Sequence, residues 1–198
     1  MDFIDIIKSR RSIRRFDQQE ISKETLLNLV DSARLAPSAA NLQPLEYIII
    51  NEKTILDLVF DQLAWAGYIR PKRNPSEDKK PVAYIAVLRN SSSNEKFSIV
   101  DAAAAIENIL IAAWSINIGS CWIGNINRDN LHKVLNIPDD YVIDSVIALG
   151  YPAENPVLEE INDDSIKYYL DENDRLHVPK KALQKITHIN AFGSKLID

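Results

Sequence analysis

Apolar positions recur with two distinct spacings along the chain. Spacings of three and four residues predict helices over residues 3–8, 22–36, 52–66, 97–116 and 128–135. Short apolar runs rich in β-branched residues predict strands over residues 47–50, 82–88, 121–123 and 144–149. Ser22 is placed to cap the second helix, and Pro37 ends it. The pattern therefore combines five helices with four strands.

The predicted helix over residues 97–116 is apolar around nearly its whole circumference. This pattern is typical of a helix that is enclosed on most sides, either at the centre of a domain or in a subunit interface. Four consecutive alanines, at positions 102–105, allow close approach of a neighbouring element. Gly119 is placed to end the helix as a C-terminal cap.

The chain after Asn155 shows no strand pattern, yet it keeps many apolar side chains. They are Tyr168, Tyr169, Leu170, Leu176, Val178, Leu183, Ile186 and Phe192. Because these residues follow an apparently complete sheet, we expect them to pack on a second subunit.

Composition narrows the class of protein. The 198 residues are 46% hydrophobic with a formal net charge of −5, which suits a single acidic domain. One cysteine excludes an internal disulfide, and three dispersed histidines give no metal-ligand spacing. The longest apolar runs are interrupted by Asp101 and Glu107, and the acidic N-terminus does not resemble a signal peptide. We therefore expect a cytoplasmic protein without metal or membrane.

Against this acidic background, four arginines occupy the six positions 10–15. Such a cluster is either a solvated surface patch or a binding site for an anion, and phosphate fits the guanidinium donors best. Ser12 adds a hydroxyl at the same place. Nucleic-acid binding is disfavoured, because the chain is acidic overall and lacks other basic segments with interleaved aromatic residues.

Two further segments carry candidate binding groups. The loop between Pro37 and Pro44 holds hydroxyl and amide side chains on a restricted backbone, which suits recognition of a flat heteroaromatic edge or simply connects a helix to a strand. Gly119 and Gly124 bracket a short apolar strand, where bare backbone allows close approach of a ligand. Cys121 lies in that apolar run without a nearby histidine, so we interpret it as a buried structural thiol.

Together these segments resemble the FMN-dependent nitroreductase family. The resemblance is carried, in this order, by residues 10–16, 36–44, 101–110, 119–124 and 135–152. It implies an α+β fold, a three-layer sandwich with a mixed, mainly antiparallel sheet flanked by helices. It also implies one domain overall, with residues 1–156 as the FMN-binding core and residues 157–198 as a C-terminal arm that wraps the partner of a homodimer.

The resemblance also implies a set of cofactor-binding residues: Arg10, Arg11, Ser12, Arg14, Pro37, Ser38, Ala39, Asn41, Gln43, Ile123, Gly124, Lys180 and Lys181. The phosphate would lie among Arg10, Ser12 and one of the two lysines. The segment from Pro37 to Asn41 would come from the partner subunit, with Gln43 in the same motif.

Three positions would face the flavin ring. By resemblance, Arg14 would lie beside its N1/O2 edge and stabilise the reduced form, Ile123 would pack on the ring, and Gly124 would donate its N–H near N5 or O4. The family's activity would then be transfer of a hydride from NAD(P)H through flavin N5 to an electron-poor small molecule such as a nitroaromatic or quinone. No catalytic side chain is needed, because the flavin carries the chemistry. A flavin-binding carrier or sensor without turnover is the alternative.

Overall fold

The computed structural model describes residues 2–69, 74–161 and 165–194. Its helices are α1 (Phe3–Ser9), α2 (Lys23–Arg34), α3 (Lys53–Phe60), α4 (Glu95–Ser115), α5 (Arg128–Val134) and α6 (Leu183–Ile186). Its strands are β1 (Phe16–Asp17), β2 (Leu45–Ile50), β3 (Ala83–Asn90), β4 (Gly119–Ile123), β5 (Tyr141–Pro152), β6 (Val157–Ile161), β7 (Tyr169–Leu170) and β8 (Leu176–Lys181). Every helix and strand predicted from the apolar spacing is present, with shifted ends.

The main sheet has five strands and is antiparallel at every pairing between them. β5 is its longest strand, with β3 along one edge and both β4 and β1 along the other, while β2 pairs with the far side of β3. The first six residues of β3 are buried in succession, as expected for a central strand covered on both faces.

Helices cover both faces of this sheet. On one face, α2 and α4 pack on apolar side chains that include Ile85, Ile147 and Leu149. On the other face, Val59 of α3 and Leu131 of α5 join a second buried cluster. The prediction of an α+β three-layer sandwich is therefore confirmed.

Helix α4 is the centre of the first cluster. Its 21 residues are long and apolar enough to cross a membrane by length and composition alone, with a mean hydropathy of 1.5 in its most apolar window. Eight of its residues are buried against the sheet and α2, which accounts for this apolar character as core packing. The predicted glycine cap is wrong, because Ile116 caps the helix, Asn117 has φ of 61°, and Gly119 already begins β4.

The tail forms strands that its sequence pattern does not reveal. β6, β8 and β7 form a separate three-stranded sheet, in which β8 runs parallel to β6 and antiparallel to β7. These strands are short, and Pro179 interrupts the apolar pattern of β8, so periodicity alone gives little signal. Beyond them, Leu183, Ile186 and Phe192 are exposed by 63%, 59% and 94%. The arm that would wrap a partner stays a prediction.

Candidate functional site

The arginine segment, residues 10–15, begins where α1 ends. Arg10 is the C-cap of α1, and its backbone N–H donates to the carbonyl of Ile6. Ile13 is fully buried and donates its N–H to the carbonyl of Ser120 at 2.9 Å, and Phe16 is fully buried in β1. Two apolar anchors therefore fix this segment to the edge of the main sheet, and its four arginines are only partly buried.

A pair of glycines makes this close docking possible. Gly119 of β4 lies opposite Gly150 of β5 in the antiparallel register. A Cβ atom at Gly119 would lie 2.9 Å from Ile13 Cβ, and one at Gly150 would lie 2.8 Å from Phe16 Cβ. Because such distances are shorter than van der Waals contact, only glycine at both positions lets the arginine segment lie directly on the strands.

The four arginines have different partners. Arg10 Nε lies 3.7 Å from Glu107 Oε1 on α4, and Arg15 donates to Asp174 Oδ2 at 2.6 Å. The Arg14 guanidinium lies over the ring of Tyr168, with 5.3 Å from Cζ to the ring centroid.

Arg11 carries the clearest signal of an anion site. Its Nε is buried and has no hydrogen-bond partner among the residues that the structure describes, while one of its terminal nitrogens donates to the carbonyl of Arg10. Burial and the neighbouring Arg10 charge lower the pKa of Arg11. Ser120 Oγ, on the strand that Ser12 bridges, is also buried, and no hydrogen-bond partner for it lies in the described ranges. A buried cation with an unused donor costs free energy unless an anion accepts from it.

The loop after α2 is held by a buried carboxylate. Asp101 of α4 is only 4% exposed, and its two oxygens accept from Ser38 Oγ at 2.6 Å and from the N–H of Ala39 at 3.0 Å. Ser38 Oγ in turn accepts from the N–H of Gln43 at 2.9 Å. This role of Asp101 was not predicted from the sequence. An acid among the alanines of the most apolar helix was the available signal, because buried carboxylates require partners.

This bracing holds an unusual backbone. Ala40, Asn41 and Gln43 all have positive φ, between 49° and 55°, in a loop without glycine. The side chains of Asn41 and Gln43 are exposed, so the loop presents amide groups outward. A cavity of about 160 Å³ adjoins it, lined in part by Asp101 and Tyr47. Burial raises the pKa of Tyr47 to about 12.

The end of β4 presents bare backbone. Ile123 is 4% exposed and belongs to the second core cluster, whereas Gly124 is exposed and a Cβ there would meet nothing within 4 Å. Arg128, which the sequence analysis missed, donates to the carbonyl of Gly124 at 3.4 Å and to that of Asp144 at 2.9 Å. It thereby fixes the peptide that follows Gly124.

Within one chain, the loop and the arginine segment are attached to different sides of α4. Asp101 holds the loop, and Glu107 lies beside Arg10. Residues six apart in an α-helix are about 120° apart around its axis and about 9 Å apart along it. In the described ranges, no hydrogen bond or ion pair joins the two segments. One subunit therefore does not assemble all the predicted site residues into a single network.

The two lysines of the tail and Cys121 were also singled out from the sequence. Lys180 and Lys181 end β8 with exposed side chains, and neither forms an ion pair with the residues that the structure describes. Cys121 is 3% exposed, and burial raises the pKa of its thiol, as expected for a structural residue. The described residues contain no cluster of metal-ligating side chains.

Comparison with known proteins agrees with this fold. A model of the nitroreductase family matches residues 7–151, well over half of the chain. A relative from Methanothermobacter thermautotrophicus, whose name joins NADH dehydrogenase and NAD(P)H nitroreductase, is 30% identical over 187 residues, covering 91% of this chain and 88% of its own. The FMN reductase (NADPH) of Bacillus subtilis is 28% identical, covering 76% of this chain and 66% of its own.

A solved structure leads to the same family. The FMN-dependent nitroreductase from Clostridium difficile R20291 superposes with a TM-score of 0.68 at 27% identity, covering 96% of this chain and 99% of its own. The chain belongs to the nitroreductase family. The predicted family and its class of enzyme, an oxidoreductase, are therefore confirmed.

Proposed function

We propose that this protein is an FMN-dependent oxidoreductase that passes electrons from NAD(P)H to an electron-poor small molecule. The observation that carries the proposal is the partly buried Arg11, whose buried Nε has no hydrogen-bond partner among the described residues and which lies beside a second arginine. A phosphate monoester has the charge and the acceptor oxygens that this arrangement requires. Relatives named for FMN and NADPH support the choice of cofactor and donor.

The residues present fit FMN. The phosphate would be held by Arg10, Arg11 and Ser12, with Lys180 or Lys181 available from the tail. When bound, FMN supplies the electron-transfer chemistry. The chain supplies the positive charge of Arg14 beside the site and an open backbone at Gly124, where a side chain would fill the space. Ile123 supports that backbone from the core.

The second half of the site would come from a partner subunit. The loop of residues 37–43, with Pro37, Ser38, Ala39, Asn41 and Gln43, is braced on α4 away from the arginine segment of its own chain. Val100, exposed by 61%, lies opposite the buried face of α4, as do Ala104 and Ile111. A homodimer that packs through this face would bury it and bring the loop of one subunit to the arginines of the other.

Anaerobic titration of the purified protein with NADH and NADPH tests the proposal. We expect a yellow protein whose flavin absorbance is bleached by at least one donor and restored by a quinone, at a rate above that of free FMN. Bleaching without turnover would favour the carrier or sensor alternative. A protein that binds no FMN would contradict the proposal. NAD(P)H is available in the cytoplasm, so the proposed activity agrees with the cytoplasmic location expected from the sequence.

A further inference from the structure

Arg14 differs from Arg10 and Arg15 in the partner of its guanidinium. Arg10 lies near Glu107, and Arg15 forms an ion pair with Asp174. The guanidinium of Arg14 forms no ion pair in the described part of the chain. Its backbone N–H donates to the Glu154 carboxylate, so the main chain is fixed, while no carboxylate of the described residues is paired with the guanidinium.

An aromatic ring takes the place of a carboxylate partner. The ring centroid of Tyr168 lies 5.3 Å from Arg14 Cζ, within the range of a cation–π interaction. Such a contact orients a guanidinium while leaving its positive charge in place. A carboxylate at the same position would orient it and neutralise it.

Tyr168 is itself supported by a segment that lies a hundred residues away in sequence. The ring of Tyr68 lies 4.8 Å from that of Tyr168, and the Tyr68 N–H donates weakly to the Tyr168 hydroxyl at 3.4 Å. Lys167 Nζ lies 5.8 Å from the Tyr68 ring. The tail therefore reaches the arginine segment of its own chain through Tyr168, whose ring is in tilted contact with that of Tyr68.

We propose that Tyr168 is a positioning residue that holds the uncancelled charge of Arg14 towards the flavin and thereby raises the reduction potential of bound FMN. The inference rests on the proposed function, because it requires FMN beside Arg14. A fixed positive charge near the flavin favours its reduced form, which carries more negative charge. Without the ring, the long side chain of Arg14 is free to turn towards water, where its charge is screened.

The test is the midpoint potential of the purified holoprotein, measured by equilibration with a reference dye. Tyr168→Leu is expected to lower the equilibrium ratio of reduced to oxidised flavin about tenfold, which is about 30 mV for a two-electron couple. Tyr168→Phe keeps the ring and is expected to keep the wild-type potential. Tyr68→Ala removes the supporting ring and is expected to shift the potential in the same direction by less.

Tyr169→Leu is the matched control. Tyr169 follows Tyr168 directly, but its ring stacks on His177 at 4.9 Å and its hydroxyl bonds to Glu159, away from Arg14. It is expected to weaken the tail sheet, seen as a lower melting temperature, with an unchanged potential.

In an Arg14→Gln background, the effect of Tyr168→Leu on the potential should vanish, because the two residues act through one charge.

Three results would overturn the inference. They are an unchanged potential in Tyr168→Leu, an equal shift in Tyr169→Leu, and a shift that persists in the Arg14→Gln background. If Tyr168→Leu does not fold, Tyr68→Ala carries the same test, and an unchanged potential there overturns the inference as well. After any of these results, the proposed function would still hold if the wild-type protein binds FMN and the bound FMN accepts electrons from NAD(P)H. A wild-type protein without FMN binding would overturn both.

Discussion

Gly119 and Gly150 show how two residues without side chains determine where charged residues lie. Their missing Cβ atoms leave room for Ile13, within the arginine segment, and for Phe16, which follows it. The cluster of like charges therefore has a structural basis, because apolar contacts offset the repulsion among the guanidiniums. It is also the reason that Arg11 is partly buried, with a donor left for an anion.

Gly150→Ala is expected to destabilise the protein by about 1–3 kcal/mol, as overpacking of a core does. The new Cβ would lie 2.8 Å from Phe16 Cβ and Cδ1, so the arginine segment or the strand must move. Urea unfolding measures the change. Gly67→Ala is the control, because a Cβ there would meet nothing within 4 Å. Equal stability of the two variants would refute the role of the glycine pair.

Tyr47 gives a prediction for alkaline pH. Burial raises the pKa of its phenol to about 12, above the value of about 10 in an unfolded chain. A raised folded-state pKa contributes stability that is fully present below pH 10 and is lost as pH rises from 10 to 12. Tyr47→Phe should therefore lose less stability over this window than the wild type in urea titrations. An equal loss of stability in Tyr47→Phe and in the wild type between pH 10 and 12 would contradict this assignment.

At the scale of elements, the features that depend on local residue spacing were predicted correctly from the sequence. Ser22 caps α2 as expected, with its hydroxyl accepting from the N–H of Thr25. Helix α3 ends at Phe60, earlier than its apolar spacing suggested, because Leu63 pairs with Ile126 and the Ala64 N–H bonds to Asn125. Such long-range contacts leave no trace in local spacing.

The candidate site also has parts that local sequence predicts and parts that depend on long-range contacts. Its motifs lie in contiguous segments, so the arginines, the amide loop and Gly124 were found from the sequence. Their supports are distant in the chain: Asp101 lies 63 residues from Ser38, and Tyr168 lies in the tail. The parallel pairing of β6 with β8 was missed for the same physical reason, because partners far apart in sequence are chosen by tertiary packing.

Asp101→Asn tests how the loop of residues 37–43 is held. An amide has one acceptor oxygen where the carboxylate has two, so either Ser38 Oγ or the Ala39 N–H loses its buried partner. We expect a loss of about 1–3 kcal/mol in unfolding free energy and weaker FMN binding. Asp31→Asn is the control, since Asp31 pairs with Arg34 on the exposed face of α2. Wild-type stability and FMN affinity in Asp101→Asn would contradict the bracing role.

At the scale of the whole molecule, α4 connects the two halves of the candidate site. Its buried face packs on the sheet, Asp101 holds the loop, and Glu107 lies beside Arg10. Its opposite face leaves Val100 exposed. A domain whose central helix remains partly uncovered, with site residues on separate sides, is well explained by assembly into a dimer.

Val100→Asp is expected to weaken the proposed dimer, because a carboxylate buried in an apolar interface lacks a partner. Size-exclusion chromatography with light scattering would show a shift towards monomer, accompanied by loss of FMN. Leu58→Asp introduces the same charge at an exposed position of α3, on the other face of the sheet, and should remain dimeric and yellow. A monomeric wild type that retains FMN would contradict a shared site.

The central claim is that the arginine segment binds the FMN phosphate, and binding of FMN and riboflavin to the apoprotein tests it most directly. The wild type should prefer FMN by at least about 100-fold, or about 2.7 kcal/mol. Arg11→Met should remove most of this preference while leaving riboflavin binding similar, and Arg34→Met, on the surface of α2, should retain it. Equal affinity of the wild type for FMN and riboflavin, or an undiminished preference in Arg11→Met, would contradict the account.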